Sequence, residues 1–139
     1  MRIMAIDYGD AHTGIAISDP TGFLAGFTTT IDAYRPEIVV QRITELARQH
    51  GVEELVLGHP KNMDGTLGPR AEKAEAMAAL LKEATGLPVV LWDERRTTID
   101  AHQILMAGGK NAKKRKKVVD AVAASLILEG YLTYKKSHS

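Results

Sequence analysis

Residues 2–31 hold three consecutive strand patterns and no helical one, whereas strand and helix patterns alternate from Pro36 onward. That order restricts the fold more than any other feature of the chain. Strands joined by tight turns lie antiparallel, and strands joined through helices lie parallel. Arg2 to Asp7 is a short apolar run closed by an acid, Tyr8-Gly9-Asp10-Ala11-His12 supplies a turn, and Thr13 to Asp19 returns as a second strand. Pro20-Thr21-Gly22 turns the chain again into a Thr-rich third strand, Phe23 to Ile31. Pro36 then opens a helix with Val39, Ile43, Leu46 and Ala47 at helical spacing and Gly51 as its stop.

Glu54 to Gly58 reads as a fourth, buried strand, and His59 to Gly68 as a loop. Pro69 begins an Ala-rich helix with Ala74, Met77, Ala78 and Leu81 on one face, ending near Gly86-Leu87-Pro88. Val89 to Trp92 is the fifth strand, and Thr97 or Thr98 can cap a helix reaching about Met106. Ala107 to Lys117 shows no apolar periodicity and reads as a mobile segment, while Val118 to Tyr134 forms a last helix, apolar almost all round from 118 to 132 and placed mostly inside. The expected architecture is α/β, with three antiparallel strands followed by parallel ones in a mixed five-stranded sheet and helices on both faces. At 139 residues, one domain spanning 1–139 is expected.

Composition narrows the chemistry. Without cysteine, disulfides, thiolate zinc sites and a cysteine nucleophile are excluded. No apolar run approaches the ~20 residues that span a bilayer, and no signal-peptide pattern opens the chain, so a cytoplasmic protein without membrane contact is expected. The net charge of +1 conceals an asymmetry: Lys110 to Lys136 carries eight Lys/Arg against Asp120 and Glu129, a net +6, balanced by −5 elsewhere. A basic segment beside acidic strand ends suits an enzyme that cuts a polyanion.

The acids themselves sit in expensive places. Asp7 ends the first apolar run, Asp93-Glu94 ends the fifth strand, and Asp120 interrupts Val118-Val119-Asp120-Ala121-Val122. Carboxylates beside apolar surroundings need a compensating cation, and one divalent metal site could serve all three. Magnesium and manganese take oxygen ligands, and such ions activate water for in-line phosphoryl displacement. Alternation along a strand lets only one of Asp93 and Glu94 enter a given site, and spacing leaves that choice open. The five histidines, His12, His50, His59, His102 and His138, show no zinc spacing and read as solvated, with His12 near the proposed site. Asp7-x-Gly9 followed by Gly14 also fits the phosphate loop of actin-like ATPases, but those need a second domain of the same type.

Taken together, Asp7-Tyr8-Gly9 with Gly14-Ile15-Ala16, Val56 to Thr66, Trp92 to Thr98, and Lys114 to Asp120 with Ile127 to Leu132 resemble the YqgF/RuvX family. The resemblance covers nearly the whole chain. It implies a ribonuclease H-like fold and a nuclease dependent on Mg²⁺ or Mn²⁺, with Asp7, Glu94 and Asp120 as catalytic, metal-holding residues. Glu94 is thereby chosen over Asp93, although a contribution from Asp93 stays open. Lys113, Lys114, Arg115, Lys116, Lys117 and Arg95 are the expected nucleic-acid contacts. The implied activity is maturation of the 5′ end of the small-subunit ribosomal RNA precursor, a structured RNA. The alternatives are resolution of branched DNA junctions, or a non-catalytic nucleic-acid or ribosome-associated module, in a monomer or a homodimer. The family often has Lys or Arg near Ala11 and His12, a hydrophobic residue at Arg96 and Lys at Ala121, so this chain departs from it there.

Overall fold

The computed structural model describes residues 1–19, 25–60, 68–93 and 112–137, with backbone alone for 25, 112–120 and 136–137. Its strands are β1 (Arg2–Asp7), β2 (His12–Ser18), β3 (Ala25–Asp32), β4 (Val52–His59) and β5 (Val89–Asp93), and its helices are α1 (Pro36–His50), α2 (Pro69–Thr85) and α3 (Ala112–Ser137). The sheet runs β3-β2-β1-β4-β5. β1 pairs antiparallel with β2, as β2 does with β3, while β1–β4 and β4–β5 are parallel. The mixed sheet expected from the element order is thus present.

Local chemistry sets the helix ends. Pro36 and Pro69 occupy first-turn positions, where the missing N–H costs nothing. Gly51 and Gly86 close α1 and α2 with φ of 64° and 71°, a left-handed conformation that a side chain would strain. The Gly51 N–H donates back to the Ala47 and Arg48 carbonyls. Both helices lie on one side of the sheet, where Val39, Ile43, Ala47, Ala74, Met77 and Leu81 meet Met4, Ile6, Ile15, Ile17, Leu55 and Leu57. On the other side Ala124, Ile127, Leu128, Tyr131 and Leu132 of α3 cover Ile3, Ala5, Ala16 and Val56. Each fully buried Leu or Ile contributes roughly 1.5–3 kcal/mol. No helix among the described residues is long and apolar enough to cross a membrane.

The last helix departs from expectation in two ways. It begins at Ala112 rather than Val118, so Lys113 to Lys117 belong to α3 and not to a loop. Ala, Lys and Arg are strong helix formers and no Gly or Pro interrupts them; propensity extends the helix where hydrophobic periodicity is silent. It also buries one stripe rather than its whole circumference, since Glu129 is exposed and Ala121, Val122, Ser125 and Leu126 are only partly buried.

Candidate active site

Alternation along β1 sends Met4 and Ile6 toward α1 and α2, and Ile3 and Ala5 toward α3. Asp7 continues the odd-numbered series, so its half-buried carboxylate leaves β1 on the α3 side. It does so at the carboxyl-terminal edge, where open α/β sheets bind ligands. The residue opposite it on β2 is Gly14. The register pairing Ile6 with Leu57 brings Gly58 alongside on β4, on the same side as Val56. Glycines therefore flank Asp7 on both neighbouring strands, and neither can shade it with a side chain.

The turn after Asp7 is tightly constrained. A Cβ on Gly9 would lie 2.4 Å from the His12 carbonyl oxygen. The glycine is needed because the β1–β2 hairpin closes on its own backbone. Nearby, Lys73 of α2 reaches the Asp10 carboxylate at 3.1 Å, an exposed pair worth little on its own. Tyr8 packs against the α1/α2 side, and burial pushes its phenol up from the ordinary value, partly opposed by Lys73. Gly9→Ala should cost about 1–3 kcal/mol through forced backbone movement. Chemical denaturation checks this, and cleavage should fall with it because the same movement displaces Asp7.

Asp93 ends β5 on the opposite side of the sheet. Val90 and Trp92 pack with α3, whereas Val89 packs with the α1/α2 core, so Asp93 shares the α1/α2 side with its register partner His59. His59 is 8% exposed and its Nε2 lies 3.2 Å from Glu75 of α2, not solvated as its isolation in sequence implied. Asp93 is thus directed away from the side that Asp7 faces. Glu94 and Arg95 lie outside the described residues.

Asp120 is described as a position on α3. It stands one turn before Ala124, and its number continues the sheet-facing stripe of Ala124, Ile127, Leu128 and Tyr131. The other end of the helix is anchored over the strand beginnings. The Tyr131 hydroxyl donates to Glu54, the Lys135 ammonium lies 3.2 Å from the same carboxylate, and Lys135 also approaches the Met1 sulfur at 3.9 Å. Burial, then the Glu54 contact, push the Tyr131 phenol well above its ordinary range. From Lys135 back to Asp120 the helix rises ~22 Å. β1 travels ~20 Å from Met1 to Asp7. The backbone at Asp120 therefore reaches the level of the strand edge that carries Asp7.

One pair at this edge went unnoticed in the sequence. His12 opposes Asp32 across β2 and β3, with Nδ1 2.7 Å from Oδ1. By strand alternation His12 shares the α3 side with Gly14 and Ala16. Its side chain is 19% exposed, so the solvated reading does not hold here either. Only the hairpin register, which residue spacing does not reveal, joins these two residues. Among the described residues no group of three His, Asp or Glu side chains is close enough to hold a metal.

Residues 1–134 match a family model described as RuvX, Holliday junction resolvase. The chain belongs to the RuvX family. It is 47% identical over 135 residues to a protein of Halothermothrix orenii named "Putative pre-16S rRNA nuclease", covering 97% of this chain and 96% of that one. A Geobacillus kaustophilus protein of the same name is 46% identical over 138 residues, covering 98% and 100%. Among solved structures, Thermus thermophilus RuvC in complex with a Holliday junction substrate superposes with a TM-score of 0.66 at 15% identity, covering 100% of this chain and 98% of that one. The fold is ribonuclease H-like, and this RuvX chain is a nuclease by family.

Proposed function

We propose that this RuvX chain is a single-domain, divalent-metal-dependent endonuclease that trims the 5′ end of the small-subunit ribosomal RNA precursor in the cytoplasm. The observation that carries the reading is Asp7, a carboxylate at the carboxyl-terminal edge of the central strand, flanked by Gly14 and Gly58 on the side that α3 covers. Asp7, Glu94 and Asp120 are the residues that would hold Mg²⁺ or Mn²⁺. An all-oxygen donor set suits these hard cations, and the glycine-flanked edge leaves room for their waters and for phosphate oxygens. A cation bound there would supply Lewis acidity at the phosphate and would make a bound water a better nucleophile.

The protein's own contribution is placement. β1 and the Gly9 turn fix Asp7, and packing of α3 fixes the backbone of Asp120. Asp93 is directed to the other side of the sheet, and the family resemblance names Glu94 as the β5-end acid for this site. Lys113 to Lys117 lie one to two turns before Asp120 on the same helix. Their charge therefore attracts phosphates toward that carboxylate, an attraction that weakens with salt.

The curated relatives favour ribosomal RNA as the substrate. The family description favours a four-way DNA junction as the second reading. Side-by-side cleavage of a precursor RNA fragment and a synthetic junction, with Mg²⁺ or Mn²⁺ present, separates them. The expected result is metal-dependent cutting of the RNA with the junction intact. The reverse makes the protein a resolvase, and inertness toward both substrates would leave a binding module.

A further inference from the structure

Beside the proposed cleavage edge lies an aromatic seam that the nuclease reading does not use. Trp92 sits on the α3 side of β5, paired with Gly58, the residue that flanks Asp7. Two strand spacings, about 10 Å, separate its backbone from that of Asp7. Its indole meets Tyr131 and Tyr134 edge-on, with both ring centroids at 5.8 Å. The two tyrosines stack at 6.4 Å and 23°, and the Lys135 ammonium lies 5.5 Å from the Tyr131 ring centroid. Gly130 lets the indole lie flush on the helix, because a Cβ there would come within 3.3 Å of it.

The two tyrosines differ in a telling way. Tyr131 is 6% exposed and is the packing anchor of the seam. Tyr134 is 45% exposed and presents ring surface beyond what packing against Trp92 consumes. An exposed ring packed on an indole whose backbone lies ~10 Å from that of Asp7 matches how sequence-tolerant single-strand binders work. Bases stack on aromatic faces while cations follow the backbone. Duplex nucleic acid keeps its base faces inside and cannot use such a platform.

We propose that the Trp92–Tyr134 seam between β5 and α3 is a stacking platform for a single-stranded nucleic-acid segment extending from the cleavage site. Its place in cleavage rests on the nuclease reading above, but its occupancy can be measured apart from catalysis. Trp92 is the chain's single tryptophan, so its emission reports on this seam alone. In EDTA at low salt, a short oligouridylate should change that emission saturably. Tyr134→Ala should weaken the binding roughly tenfold. Tyr134→Leu, which restores apolar bulk without a π-face, should behave like the alanine variant, and Tyr134→Phe like wild type.

Unchanged affinity in Tyr134→Ala, or wild-type behaviour of Tyr134→Leu, overturns the proposal. So does constant Trp92 emission while anisotropy shows the oligonucleotide bound, or an equal response to a blunt duplex. The cleavage-site reading fails separately: cutting that survives in Asp7→Asn would remove it while leaving the emission change in place.

Discussion

Asp7→Asn abolishes cleavage and leaves the fold in place: this is the expected result with the largest effect on activity. Asparagine keeps the shape of aspartate and removes the charge, so a cation loses its central ligand while β1 keeps its packing. Loss of several kcal/mol of transition-state stabilisation corresponds to a rate decrease of about a thousandfold or more. Stability should change little, because the side chain is only half-buried at a strand end between two glycines. Single-turnover cleavage gives the rate, and the denaturation midpoint reports the fold. The informative control is Asp93→Asn. Asp93 lies on the α1/α2 side, so cleavage per folded molecule should stay near wild type even if its own local contacts change. Equal losses in the two variants would place the chemistry elsewhere.

Much of the fold could be read from residue order alone. Pro36, Gly51, Pro69 and Gly86 marked α1 and α2 because the backbone at those points tolerates few alternatives. The short apolar runs marked the strands, and the switch from turns to helical connections predicted which pairs are antiparallel. The start of α3 was harder. Ala112 to Lys117 is helical through intrinsic propensity, and a search for buried stripes does not detect it.

The site was legible only in outline. Asp7 stood out because it closes an apolar strand, yet its glycine flanks depend on register: Gly14 and Gly58 are far apart in sequence and meet only once β2 and β4 pair with β1. The side of the sheet that Asp93 takes likewise turned on which face Trp92 presents, a matter of packing against Tyr131 rather than of spacing. His12 and His59 looked isolated because their partners, Asp32 and Glu75, are 20 and 16 residues away. The first pair depends on the β2–β3 register and the second on α2 packing against β4, so neither leaves a periodic trace.

Leu128→Ala should produce the largest loss of stability, about 2–5 kcal/mol, against a total of about 5–15 for a domain of this size. Leu128 is fully buried between α3 and the sheet. Its layer mixes the small residues Ala5, Ala16 and Ala124 with larger ones, among them Ile3, Val56 and Ile127. Small residues let the helix approach closely, but they leave few atoms able to collapse into a cavity, which favours the upper part of the range. The urea midpoint should fall with the slope unchanged, because the surface exposed on unfolding is nearly the same. Leu80→Ala on α2 offers the contrast: that side chain is 43% exposed, and its loss should stay within about 0.5 kcal/mol. If Leu128→Ala were as mild as Leu80→Ala, α3 would not be held to the sheet by this layer. The level match between Asp120 and Asp7 would then lose part of its physical basis, since Leu128 and Ile127 are the fully buried large side chains described in the middle turns of α3.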